Sequence, residues 1–235
     1  MSERRGELAL GARESIPLGL ALLPIGLAFG YLAAKVGLSW WLAGLMSTAV
    51  YAGPSQFLAA ELIVVGAGTP AIVATTAVAN LRYLLFATSL VPHLADAPPR
   101  RLLSLAHGVA DGSYALTIRH CLRHPDRPRK DRYLLGSFFV SFCSWVSATV
   151  AGGLLGDRLP ELLSYGLEFA TPAIFIALLV PAVRDARSAA VMVVGGVGAV
   201  LGNQYLPAGA GPVLAIAAAA LLGGVSEWRR EPRSS

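Results

Sequence analysis

Long apolar runs separated by short polar stretches dominate the chain. A helix needs about 20 apolar residues to cross a bilayer core, because no backbone N–H or C=O can be left unpaired in lipid. Measured against that length, the sequence predicts hydrophobic segments near 15–34, 40–66, 70–91, 133–154, 161–181, 189–203 and 210–227, with a shorter, more polar one at 103–118. The expected fold class is all-α: a polytopic membrane helix bundle of seven to eight segments forming one transmembrane domain over 1–235. Pro17, Pro24, Pro54, Pro172 and Pro181 fall within or at the ends of these segments, where proline frees a carbonyl and bends a helix. Broken or kinked helices are therefore expected.

Orientation follows from the basic residues, since short Lys/Arg-rich loops stay in the cytoplasm. Arg4, Arg5 and Arg13 precede the first segment, Arg119, Arg123, Arg127, Arg129, Lys130 and Arg132 crowd one loop, and Arg229, Arg230 and Arg233 follow the last segment. This predicts a cytoplasmic N-terminal segment over 1–14, a basic cytoplasmic loop over 119–132 and a cytoplasmic tail over 228–235, so both termini lie inside. Arg184 and Arg187 also fall inside, whereas 202–211, free of charge, falls outside. The first half admits two arrangements. In one, 103–118 crosses the membrane; in the other, 40–66 forms two re-entrant half-helices and 92–132 stays in the cytoplasm.

Composition agrees with a membrane setting. Of 235 residues only 14% are charged and 55% are hydrophobic, whereas a water-soluble domain carries charge on about a quarter of its positions. The net charge of +5 lies in loops between apolar runs, which argues against nucleic-acid binding. Cys121 and Cys143 have neither a disulfide pattern nor metal-ligand spacing, so free thiols, no metal and no cofactor are expected. The first apolar run lacks a clear cleavage site and reads as an uncleaved helix.

Polar residues inside the apolar runs carry the candidate chemistry. Tyr51-Ala52-Gly53-Pro54-Ser55-Gln56-Phe57 interrupts 40–66, reading as a broken helix whose second half would aim free N–H groups at a substrate carboxylate. An ordinary loop between short buried helices would fit the same letters. In 70–91, Asn80 and Tyr83 flank Arg82, which is costly at bilayer depth and needs a partner: Glu61, Asp111, Glu168 or a carboxylate brought by substrate. A permanent ion pair and a ligand role both fit it. Ser104, His107, Asp111, Tyr114 and Thr117 predict one polar stripe on 103–118, with His107 and Asp111 one turn apart and able to share a proton. Such a helix could line a cavity or lie at the headgroups. Glu168 sits four residues before Pro172, beside the carbonyl that the proline frees. Gly202-Asn203-Gln204-Tyr205-Leu206-Pro207 loosely echoes the first break, as an inverted repeat would. Gly26/Gly30, Gly198/Gly202 and the row Ser137, Ser141, Ser144, Ala148 read as packing faces. No nucleotide-binding phosphate loop, nucleophile elbow or zinc helix is present, so chemistry on the substrate is not indicated.

These residues resemble the AzlC/YgaZ-type branched-chain amino acid permeases, over about Arg13 to Trp228. Gly53-Pro54-Ser55-Gln56-Phe57 is similar to that family's Gly-x-Ser-Gln-Phe, and Asn80-Leu81-Arg82-Tyr83 to its Asn-Leu-Arg-His. The stretch from Leu167 to Leu178 resembles its Leu-Asp-Phe-Ala-x-x-Ala-x-Phe-Ile-Ala-Leu. This chain has Asp111-Gly112 where members often have Asp-Glu, and Glu168 where Asp is usual. The resemblance implies a secondary transporter in the inner membrane that exports branched-chain or related apolar amino acids with a small membrane partner of the AzlD/YgaH type. Substrate binding is then expected at Gly53, Pro54, Ser55, Gln56, Asn80, Arg82 and Tyr83, and proton or ion coupling at Asp111, Glu168, His107 and Glu61. A passive channel is the alternative, as is a membrane enzyme or scaffold with His107 and Asp111 as its acid–base pair.

Overall fold

The computed structural model describes residues 2–156 and 185–205, together with positions 176, 179, 180, 183 and 218. All regular structure among the described residues is helical. The helices are α1 (Ser2–Glu14), α2 (Ile16–Lys35), α3 (Trp40–Ala49), α4 (Gly53–Val64), α5 (Thr69–Leu90), α6 (Pro99–Ala106), α7 (Asp111–Arg123), α8 (Lys130–Leu155) and α9 (Ala186–Tyr205), with a 3₁₀ turn at Val91–Leu94. Among them Ile16–Lys35, Thr69–Leu94 and Lys130–Leu155 are long and apolar enough to cross a membrane. The chain forms two compact units, residues 1–56 with 80–170, and residues 57–79 with 171–235.

In the first unit α8 is the central rod. Small residues bring the neighbouring backbones close to it, as the glycine and serine rows predict. A Cβ on Gly30 of α2 would lie 2.0 Å from the Thr149 carbonyl oxygen, and one on Gly152 of α8 would lie 2.2 Å from that of Leu27. Gly11 and Gly136 seat α1 in the same way against the start of α8. Such contact takes the place of the hydrophobic driving force that is missing between helices in lipid. A second apolar cluster, Leu90, Leu94, Leu105, Val109, Cys121 and Leu134, joins the end of α5 to α6, α7 and α8. Large apolar side chains such as Leu84, Leu85 and Phe139 face outward; that pattern suits a lipid solvent.

The described part of the second unit comprises the later turns of α4, the early turns of α5, and α9. The link between α4 and α5 turns at Gly66, whose φ of +72° few residues with a Cβ adopt. There the Ala67 N–H reaches back to the Leu62 carbonyl and the Gly66 N–H to that of Ile63, which closes the end of α4.

The break predicted in the hydrophobic run 40–66 is present: the run is two short helices, α3 and α4, neither long enough to cross alone. Two other expectations change. The polar segment 103–118 is not one helix: α6 stops at Ala106 and α7 begins at Asp111, so the stripe is divided between two axes. Gly108 sits against Phe138 at that break, where a Cβ would lie 2.8 Å from the ring. The basic loop predicted over 119–132 is shorter, because α7 runs to Arg123 and α8 starts at Lys130.

The predicted N-terminal segment is helix α1, packed along α8 and tied to the basic region. Glu7 accepts from Arg127 at 3.0 Å and pairs with His120 at 2.9 Å. The His120 ring stacks on Tyr133 at 3.9 Å. Asp131, buried in the first turn of α8, is held by Arg101 at 2.8 Å and Arg129 at 3.2 Å. Burial pushes the His120 pKa below its usual 6.5, outweighing the upward pull of Glu7. The folded state then binds fewer protons than the unfolded state just below that pH, so stability falls as pH drops through this window. Thermal unfolding in detergent should give a melting temperature that declines as pH falls below 6.5, and His120→Gln should flatten the decline.

Candidate functional site

The first break is built by backbone geometry and by side chains of α8. At the end of α3 the Val50 N–H still pairs with the Met46 carbonyl. Tyr51 then takes φ +45°, a left-handed conformation that costs a residue with a Cβ about 1–2 kcal/mol. Its side chain offsets this. The ring lies 5.5 Å from Phe138, 5.1 Å from Phe142 and 5.9 Å from His107, and the hydroxyl donates to Ser141 Oγ at 2.9 Å. α4 restarts with Ala52 accepting from the Gln56 N–H. Pro54 falls in its first turn, where an N–H would have no helical partner in any case.

Within α5, three neighbouring side chains face this region. Asn80 pairs through Oδ1 with Ser55 Oγ. Arg82 Nη2 donates to Asp111 Oδ2 at 3.1 Å and to the Tyr83 hydroxyl at 2.9 Å, while that hydroxyl donates to the same carboxylate oxygen at 3.0 Å. Of the carboxylates considered from sequence for Arg82, Asp111 is therefore the one it meets among the described residues, which do not include Glu168. The side chains of the pair are 31% and 35% exposed, so it is neither sealed in a core nor free. Arg82 Nε is buried and has no hydrogen-bond partner among the described residues. Beyond this, Phe86 stacks on Tyr114 at 4.2 Å, extending an aromatic wall from Tyr83.

The second break completes the arrangement. Ser113, in the first turn of α7, accepts from the Ala110 N–H at 3.0 Å and donates to the Gly108 carbonyl at 2.6 Å. His107 meets the Thr48 carbonyl at 3.0 Å through Nε2. That carbonyl lies in the last turn of α3, where the helix leaves carbonyl groups unpaired. A proton shared between His107 and Asp111, expected from one continuous helix, is replaced by two separate engagements on either side of the break. Gly112 packs beneath Leu18, whose Cδ2 lies 2.7 Å from the position of an added Cβ, so leucine methyls occupy the space a side chain would need.

The first unit thus brings together Gly53, Pro54, Ser55, Asn80, Arg82, Tyr83, His107 and Asp111 around two helix breaks. Gln56 is there too, fully buried and engaged at both ends of its amide. Glu61, on the part of α4 in the second unit, is exposed and makes no ion pair among the described residues. Glu168 lies outside the described residues, as do Leu206 and Pro207 of the second predicted break. Tyr51 opens the stretch that the sequence marks as a break, whereas Ser47, Trp145 and Thr149 were not singled out from sequence. The available signal was the four-residue spacing of Ser141, Trp145 and Thr149 on α8. Chemically, the site presents a guanidinium and a carboxylate whose mutual pairing leaves the buried guanidinium Nε–H unused among the described residues, a combination complementary to a zwitterion.

The sequence model of the AzlC protein family matches residues 17–159, more than half of the chain. The inner membrane protein YgaZ of Escherichia coli is 26% identical over 182 residues, covering 76% of this chain and 74% of that one. An uncharacterized membrane protein of Helicobacter pylori strain J99 is 28% identical over 169 residues, 70% of this chain and 71% of that one. The branched-chain amino acid transport protein AzlC of Bacillus subtilis is 25% identical over 167 residues, 71% of this chain and 64% of that one. No solved structure matches the chain.

Proposed function

The chain belongs to the AzlC family, and on that premise we propose that it exports branched-chain or related small apolar amino acids across the inner membrane as the large subunit of a secondary transporter. The name of the Bacillus subtilis relative supports the cargo class, and that of the Escherichia coli relative the membrane. A small membrane subunit of the AzlD/YgaH type completes the transporter. The seven to eight segments of one transport domain have both termini in the cytoplasm.

The observation that carries the reading is the partly open Arg82–Asp111 pair beside a broken helix. A zwitterion entering from the cytoplasm replaces one internal pair by two: its carboxylate meets Arg82 and the Gly53–Ser55 turn, and its ammonium meets Asp111. The exchange of pairs keeps both charges compensated at depth, where an unpaired charge costs several kcal/mol. Neighbouring apolar side chains take up the aliphatic group. Proton or ion movement through Glu168, with His107 and Glu61 as further candidates, resets the cycle.

The test is counterflow in vesicles holding the chain with its small partner. Vesicles loaded with unlabelled leucine should transiently accumulate labelled leucine, which a passive channel cannot do. If leucine, isoleucine and valine all fail to move in either direction, the reading is wrong.

A further inference from the structure

Ser137, Ser141, Trp145 and Thr149 recur every four residues along α8 and so form one row on one face. All four are buried, and each holds a different part of the chain. Ser137 Oγ accepts from Ser15 Oγ at 2.7 Å, at the start of α2. Ser141 Oγ accepts from the Tyr51 hydroxyl at 2.9 Å, within the break. Trp145 Nε1 donates to Gln56 Oε1 at 3.0 Å, in the first turn of α4. Thr149 Oγ1 accepts from Ser47 Oγ at 2.9 Å, near the end of α3. Gln56 Nε2 closes the circuit by donating to Ser47 at 2.8 Å. The end of α3, the turn after it and the first turn of α4 are therefore fixed to one rod. The Trp145 ring also lies 3.1 Å from where a Cβ on Gly53 would stand, so the turn rests directly on the indole.

Gln56 is 0% exposed; its amide oxygen accepts from Trp145 of this row, and its nitrogen donates to Ser47, which in turn donates to Thr149 of the row. Its neighbour Ser55 points the other way along the site, to Asn80, two residues before Arg82. A displacement of Gln56 would therefore move Ser55 relative to the Arg82–Asp111 pair.

We propose that Trp145 is a positioning residue of the transport site: its indole N–H, acting through Gln56, sets where the Gly53–Ser55 turn stands, and Gln56 serves as a support and not as a ligand for cargo. The proposal rests on the functional reading above, and its test includes a measurement that needs no transport. Trp145→Phe keeps the ring and removes the N–H, leaving a buried amide oxygen unpaired; Gln56→Met orphans the indole instead. Each single variant should raise the KM for leucine counterflow about tenfold with the maximal rate held within about twofold, the scale of one unmade buried hydrogen bond. The double variant, with neither polar group left to satisfy, should return the KM to within about threefold of wild type.

If the effects of the two changes multiply in the double variant, Gln56 touches cargo and the proposal is overturned. An unchanged KM in Trp145→Phe also overturns it, as does a collapse of the maximal rate alone. The second measurement uses Ser55→Cys in a chain carrying Cys121→Ala and Cys143→Ser. Adding Trp145→Phe should speed maleimide labelling of that cysteine at least about fivefold, as expected when a hydrogen bond holding a buried turn is lost; an unchanged rate counts against the proposal. If the wild-type chain moves no branched-chain amino acid, the functional reading fails, and the labelling rate alone decides whether Trp145 holds the turn.

Discussion

Replacement of Arg82 by alanine is expected to lower leucine counterflow at least about 100-fold. The guanidinium makes two hydrogen bonds through Nη2, to Asp111 and to Tyr83, and in the proposed cycle it also receives the cargo carboxylate. A charge-assisted hydrogen bond contributes about 1.5–3 kcal/mol, and 1.4 kcal/mol is a factor of ten. Loss of one such contact to cargo, together with an uncompensated Asp111, reaches that factor. Asp111→Asn should have a comparable effect on transport, because it removes the negative charge that meets the ammonium while keeping the shape. Arg82→Lys keeps the charge and loses the planar fork, so it should fall between wild type and alanine. Stability should behave differently. Since the pair is about one-third exposed, breaking it costs less than the few kcal/mol of a sealed pair. The variant Arg82→Ala/Asp111→Asn should therefore melt near wild type while remaining inactive. Full transport by Arg82→Ala would remove the pair from the mechanism.

The second large effect is expected at Tyr51. Truncation to alanine removes a buried ring that contacts Phe138, Phe142 and His107, and leaves Ser141 without its donor. Aromatic-to-alanine changes in packed interiors cost about 3–5 kcal/mol, and here the left-handed backbone at φ +45° would lose the side chain that holds it. Tyr51→Phe keeps the ring and should cost only about 1 kcal/mol, the net value of one hydrogen bond. Thermal unfolding in detergent reads the difference. Equal losses for the two variants would show that the hydroxyl, and not the ring cluster, carries the break.

Parts of this architecture were legible from the letters alone because they rest on local chemistry. Gly53-Pro54 in the middle of an apolar run reads as a break, since proline suits a first turn and cannot continue a helix from the preceding one; the break between Ala49 and Gly53 follows. Gly26, Gly30 and the serines of α8 read as a packing face because only small side chains let helices approach closely. The segment 103–118 was misjudged for a physical reason. A periodic polar pattern records which residues would share a face if the helix continued, and it carries no information on Gly108 stopping against Phe138. His107 consequently reaches α3, not Asp111. The Ser141–Trp145–Thr149 row escaped notice because a tryptophan and a threonine within an apolar run resemble ordinary packing until their partners on α3 and α4 are in place.

By itself, the sequence determined that the chain is helical, apolar enough for a bilayer, and burdened with an arginine, an asparagine and an aspartate in or beside its apolar runs. Hydropathy and backbone hydrogen bonding act along the chain, so those properties need no knowledge of neighbours in space. Only the tertiary structure decided that Asp111 compensates Arg82, that Asn80 meets Ser55, and that one face of α8 holds the end of α3 and the first turn of α4. Ion pairs and hydrogen bonds fall off over a few ångströms, and groups 25 to 102 residues apart come within that range only when the helices have packed.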